Sequence, residues 1–131
     1  MHLEAVADLD ETAAQRLSAQ RHYRDPLELI ADPAIDAVAI CSPAATHTDL
    51  VVAAAQAGKH VFCEKPMALT LPDADRAIEA ARDAGGVLQG GFNRRFAEDF
   101  AAMRSRIDDG AVGTPQLLRS LTRDPGISAE T

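Results

Sequence analysis

Short apolar runs alternate with helical segments along most of this 131-residue chain, and that alternation narrows the fold more than any other feature. Residues 3–7, a piece beginning at Tyr23, and residues 36–41, 61–63, 87–92 and 116–122 read as strands. Between them, residues 11–20, 26–32, 46–57 and 75–84 read as helices. A fifth helix places Phe96, Phe100, Met103 and Ile107 on one face, predicted to turn toward a core. Asp10, Asp25 before Pro26, Thr46 with Asp49, and Thr70 with Asp73 are predicted N-terminal caps. Gly58, Gly85-Gly86 and Gly110 mark helix ends. Connections of this length cross over between parallel strands, so the order predicts an α/β, doubly wound parallel sheet with helices on both faces. The run at 36–41 reads as a strand buried on both sides.

Composition agrees with this class. Apolar residues make up 47% of the chain but aromatics only 4%, a balance that suits helices packed on a sheet. The formal net charge is -7 with the basic residues scattered, so a nucleic-acid footprint is missing. No apolar run approaches the roughly 20 residues that span a bilayer. The start carries no signal-peptide pattern, so a cytoplasmic location is expected. Cys41 and Cys63 each sit in an apolar run and read as packing thiols. No Cys-x-x-Cys or His-x-x-x-His spacing occurs near them, so a metal site is not expected.

Chemistry concentrates in Val61-Phe62-Cys63-Glu64-Lys65-Pro66. Three β-formers are followed at once by a carboxylate, an ammonium and a proline that cannot continue a ladder. Pro66 also restricts Lys65 to extended geometry. Charge is thereby delivered to the carboxyl end of a strand, the edge at which open parallel sheets bind ligands. A surface ion pair that merely ends a strand is the alternative. Two further strand ends, at Asp8 and at Ser42-Pro43, could meet this one in a single crevice.

Three segments in order carry a family resemblance: Asp36-Ala-Val-Ala-Ile-Cys-Ser-Pro-Ala-Ala-Thr-His47, Ala57-Gly-Lys-His-Val-Phe-Cys-Glu-Lys-Pro66 and Gly91-Phe-Asn-Arg-Arg-Phe96. They resemble the glucose-fructose oxidoreductase / inositol dehydrogenase / MocA family of NAD(P)-dependent oxidoreductases acting on sugars and polyols. Gly91 to Phe96, with Thr122-Arg-Asp-Pro125, looks most like the inositol 2-dehydrogenase branch. The resemblance implies that Asp8 binds the adenosine ribose, favouring NAD over NADP because a carboxylate repels a 2′-phosphate. It implies that Ser42, Pro43 and His47 lie along the cofactor. Glu64-Lys65-Pro66 matches a signature whose lysine stands between nicotinamide ribose and substrate hydroxyl, so Lys65 is the implied catalytic residue. A cation there, partly buried, stabilises a developing alkoxide and can relay a proton. Asn93, Arg95 and Asp124 match substrate-side positions, with Arg94 and Arg123 weaker candidates.

Departures from the pattern matter as much. The family's first strand and its Gly-x-Gly-x-x-Gly turn have no counterpart ahead of residue 3, and Gly85-Gly86 and Gly90-Gly91 have the wrong spacing to replace them. A strand missing from the middle of the sheet would leave two facing edges unpaired. The expectation is therefore a partial dinucleotide-binding domain over residues 1–112 and the first strand of a truncated α+β substrate domain over 113–131. Alone, such a chain is expected to be inactive, and poorly stable or self-associating. The family pattern implies a homo-oligomer for a full-length form. A non-catalytic binding protein or remnant of the family is the alternative function, and an unrelated flavodoxin-like binding domain a third.

Overall fold

Ala5–Ala7 (β1) pairs with Arg21–Tyr23 (β2), and a second sheet runs in the order Ala37–Ile40 (β3), His60–Cys63 (β4), Leu88–Gly90 (β5). Every pairing is parallel, as crossover connections require. β1 and β3 share no ladder, and each keeps one side without a strand among the described residues. The described strands thus form two separate sheets. The computed structural model describes residues 2–121 and divides into two compact units, Met1–Phe92 and Asn93–Thr131.

Helix starts in the first unit follow side-chain chemistry. Asp10 Oδ1 accepts from the Thr12 and Ala13 N–H groups and opens α1 (Glu11–Gln15). The helix stops five residues short of expectation. Arg16 and Leu17 tighten onto carbonyls three residues back, and the Gln20 and Arg21 N–H groups turn to the Glu4 carbonyl to start β2. Asp25 caps α2 (Pro26–Ala31), with proline in the first turn where its missing N–H costs nothing. Thr70 caps α4 (Leu71–Asp83) through the Asp73 N–H, and the Thr70 hydroxyl donates to the Asp73 carboxylate. α3 (Ala44–Gln56) departs from the predicted cap: it begins before Thr46, at a Pro43 cap with no side-chain hydrogen bond. Asp49 instead meets Arg76 of α4 at 2.7 Å, an exposed pair worth little.

α3 packs along α4 and over the second sheet. Ile40, Val51, Ala54, Val61, Cys63 and Ala77, joined by Ile30 of α2, form the core. Alanines at the helix contact allow close approach, while fully burying a side chain such as Val51 contributes about 1.5–3 kcal/mol. α2 packs against β1, β2 and α3, linking the two sheets. Lys59 adds a tie, its Nζ donating to the Asp32 carbonyl at 2.9 Å. β3 differs from expectation. Val38 and Ile40 face the helices, but Ala37 and Ala39 are exposed, as are His60 and Phe62 of β4. The apolar run reads as buried on both sides because alanine is counted as apolar, yet it leaves little surface that demands cover.

The second unit holds a short 3-10 turn (Asn93–Phe96) and α5 (Glu98–Asp108), which ends at Gly110 with φ 72°. The predicted core-facing stripe is not buried: Phe96, Phe100 and Met103 are all exposed. Among the described residues of this unit one helix and one turn supply no second layer, and the Arg94 guanidinium lies over the Phe100 ring, 5.9 Å from its centroid. Residues 116–121 form no strand, since no described strand offers them a ladder. Residue 122, the end of that expected strand, lies outside the described residues.

Candidate functional site

The loop beyond β4 is fixed from both sides. The Glu64 N–H donates to the Ile40 carbonyl at 2.9 Å, and the Gly91 N–H donates to the Cys63 carbonyl at 2.7 Å. The ladder thus runs one residue past the strand and aims the next side chains off the sheet's carboxyl edge. Glu64 Oε2 turns back to accept from the Lys65 N–H at 2.9 Å. This disposes of the simple ion-pair reading: the carboxylate holds the lysine's backbone, and among the described residues the ammonium has no ion-pair partner. Lys65 is exposed, not partly buried, and its bond to Pro66 is cis.

The β3–α3 turn stands beside this loop and is bonded to it through His47. The imidazole is buried, with Nδ1 2.7 Å from the Pro66 carbonyl oxygen and Nε2 2.8 Å from the Ser42 carbonyl oxygen. Neither ring nitrogen is left free for a ligand. Ser42 Oγ lies 2.6 Å from Thr46 Oγ1, which donates to the Pro43 carbonyl at 2.8 Å. With the threonine proton committed, Ser42 is the donor of that pair and keeps its own lone pairs open. Cys63, fully buried beneath the loop, is a packing thiol pushed up to about 11, first by burial and then by the nearby Cys41 and Glu64 charges.

Two residues outside the expected site set, Gly91 and Thr46, bear on this geometry. Gly91 is buried against Glu64: a Cβ there would lie 3.1 Å from the carboxylate carbon. Its signal was the Gly90-Gly91 pair, which fails as a phosphate turn but succeeds as a close approach of two chains. The Thr46 hydroxyl was read as a helix cap, and it orders the Ser42 turn instead.

Asp8 stands apart, at the carboxyl end of β1 in the smaller sheet, and no hydrogen bond joins it to the Ser42–Lys65 cluster among the described residues. One of its carboxylate oxygens accepts from the Asp10 N–H at 2.9 Å. It lines a cleft of about 330 Å³ with Glu11, His22, Tyr23 and Arg24. The Asp10 carboxyl beside it is held below the usual range by the Thr12 hydroxyl and N–H. Asn93, Arg94 and Arg95 are exposed in the second unit. Arg123 and Asp124 lie outside the described residues.

Residues 1–92 match the model of the Gfo/Idh/MocA family, described as an oxidoreductase family with an NAD-binding Rossmann fold. The chain belongs to this family. Its NAD-binding Rossmann portion is the α/β unit described above. A myo-inositol 2-dehydrogenase of Thermotoga maritima is 45% identical over 127 residues, 94% of this chain and 38% of the relative. A scyllo-inositol 2-dehydrogenase (NAD(+)) of Bacillus subtilis is 40% identical over 116 residues, 88% of this chain and 34% of the relative. Among solved structures, a probable dehydrogenase from Thermotoga maritima superposes with a TM-score of 0.80 at 44% identity, covering 86% of this chain and 35% of that one. The chain therefore spans little more than a third of the length of these family members. No helix among the described residues is long and apolar enough to cross a membrane.

Proposed function

We propose that this chain carries the cofactor-binding part of an NAD-dependent dehydrogenase that oxidises a ring hydroxyl of an inositol-type polyol or sugar to a ketone. The observation that carries the reading is Lys65: an ammonium without an ion-pair partner among the described residues, at the carboxyl end of a central strand, its backbone locked by Glu64. The residues also suit the cofactor. Asp8 keeps one carboxylate oxygen for a ribose hydroxyl, and with Glu11 it gives its cleft a negative lining that disfavours a 2′-phosphate, outweighing the single Arg24. The inositol 2-dehydrogenases among the relatives support the substrate class, and the NAD(+) in one of their names supports the cofactor.

When bound, the nicotinamide supplies the hydride acceptor. Lys65 Nζ, exposed to solvent, donates a hydrogen bond to the reacting hydroxyl oxygen and stabilises the alkoxide that forms as the hydroxyl proton passes to water; loss of hydride from the same carbon then leaves the ketone. Ser42 keeps acceptor lone pairs toward the ligand edge. Residues 1–112 make up the dinucleotide-binding part in this reading, and 113–131 open the substrate and oligomerisation part, to which Asn93, Arg95 and Asp124 contribute substrate contacts.

The test uses the native protein that contains this chain, purified from its source. Titration with NADH and NADPH should favour NADH, and inositols should reduce NAD. Lys65→Ala should lower kcat by about 100- to 1,000-fold, as loss of one oxyanion-stabilising donor does, with NADH binding preserved. Unchanged turnover in that variant would refute the assignment of Lys65.

A further inference from the structure

We infer that Glu64 is a positioning residue whose carboxylate takes the place of the next sheet acceptor, ends the β4–β5 ladder and so fixes where the Lys65 side chain leaves the fold. The register of the ladder carries this. Val61 faces Leu88 and Cys63 faces Gly90. The Val61 N–H donates to the Val87 carbonyl at 2.8 Å, one residue before the residue it faces. The bonds of a parallel ladder repeat every two residues along the strand, so four residues on, the Lys65 N–H is due at the Gly91 carbonyl. It bonds Glu64 Oε2 at 2.9 Å instead.

Room for the carboxylate comes from glycine. A Cβ on residue 91 would stand 3.1 Å from Cδ and Oε2 of Glu64, so the carboxylate fills the space that a side chain there would take. At the same level the Phe92 N–H turns back to the Gly90 carbonyl at 2.9 Å, and β5 leaves the ladder too. Both strand ends thus part around one carboxylate. The Glu64 N–H stays on the Ile40 carbonyl at 2.9 Å, so two successive N–H groups are tied and only the side-chain torsions of Lys65 remain to place Nζ. The acting group is the acceptor oxygen and not the charge, because no cation pairs with Glu64 among the described residues. An amide oxygen with the same reach has the same acceptor lone pairs. A direct cofactor contact would show in NADH affinity, whereas a positioning role shows in turnover.

This rests on the reading of Lys65 as catalytic, but its first measurement does not need activity. Glu64→Gln keeps an acceptor oxygen, while Glu64→Met keeps the length and bulk against Gly91 and has no oxygen. Hydrogen exchange at the Lys65 amide should be slow in wild type and in Glu64→Gln, and about tenfold faster in Glu64→Met, the scale of one lost hydrogen bond. An unprotected Lys65 amide in wild type, or equal rates in wild type and Glu64→Met, would overturn the inference. In the native enzyme that contains this chain, Glu64→Met should lower kcat by about tenfold to a hundredfold, the scale of a misplacement of about 1 Å, with NADH affinity changed less than about threefold. Glu64→Gln should keep kcat within about threefold, the range of an inert change. A loss in Glu64→Gln equal to that in Glu64→Met would mean that the charge acts, and a fall in NADH affinity as large as that in kcat would mean a cofactor contact; either overturns the proposal. If Glu64→Met does not fold, the wild-type amide and Glu64→Gln still decide. If the native protein proves to have no dehydrogenase activity, the reading of Lys65 fails while amide exchange judges Glu64 separately.

Discussion

Replacing Gly91 by alanine tests the site at its most crowded point. A Cβ at this position would stand 3.1 Å from both Cδ and Oε2 of Glu64 and 3.2 Å from its Cα. Comfortable carbon contacts lie at about 3.5–4.0 Å, so the two chains must separate by roughly 0.4 Å. Neither moves easily, because the Gly91 N–H is bonded to the Cys63 carbonyl and the Glu64 N–H to the Ile40 carbonyl. The carboxylate can swing away, but it then releases the Lys65 N–H. The expected cost is that of core overpacking, about 1–3 kcal/mol, read as a lower urea midpoint. A shift of the Lys65 amide resonance should accompany it. Gly58→Ala is the control: its Cβ meets nothing within 4 Å, and only the positive φ of 73° is penalised, by about 1–2 kcal/mol. That variant should leave the Lys65 amide where it is. If Gly91→Ala matches wild type to within about 0.5 kcal/mol, the range of an inert surface change, and the Lys65 amide does not shift, the described packing of Glu64 is wrong.

Thiol chemistry should separate the two cysteines. Cys41 is exposed, while Cys63 is buried with its thiol pushed up to about 11, so a neutral thiol reagent should consume one equivalent rapidly and the second only after unfolding; two fast equivalents would contradict the packing. Acid should weaken the first unit through Asp32, held below the ordinary carboxylate range by the Ala34 N–H, the Tyr23 hydroxyl and Arg21. A depressed folded value gives stability that is complete above the ordinary Asp range and is lost as pH falls through the folded value. Asp32→Asn should therefore lower the urea midpoint at neutral pH and flatten its fall toward acid, and an unchanged acid slope would refute the assignment.

Local chemistry made much of this legible from the sequence. Asp10, Asp25 and Thr70 opened helices where expected because each cap needs only a side chain and the next few N–H groups. The carboxyl-edge placement of Lys65 also follows from neighbours in sequence, since Pro66 must leave the ladder. What was not legible depends on distant backbone. α1 ends early because Gln20 and Arg21 are drawn to Glu4. The α5 stripe repeats perfectly yet lies exposed, for periodicity states which residues share a face and not whether anything covers it. The two main-chain carbonyls that His47 meets are announced by no residue pattern.

The break between β1 and β3 gives the two ends of the proposed cofactor site different thermodynamic standing. The Lys65 end rests on the core of Ile40, Val51, Val61 and Cys63, whereas Asp8 rides on the β1–β2 ribbon, to which that core contributes only Ile30 through α2. Backbone amides of β1 and β2 should then exchange with solvent through sub-global openings that leave β3 to β5 protected. A ligand that spans both ends would couple them, so its affinity includes the work of holding the ribbon shut, and amide protection in β1 and β2 would rise on binding far more than in the strands that carry the lysine.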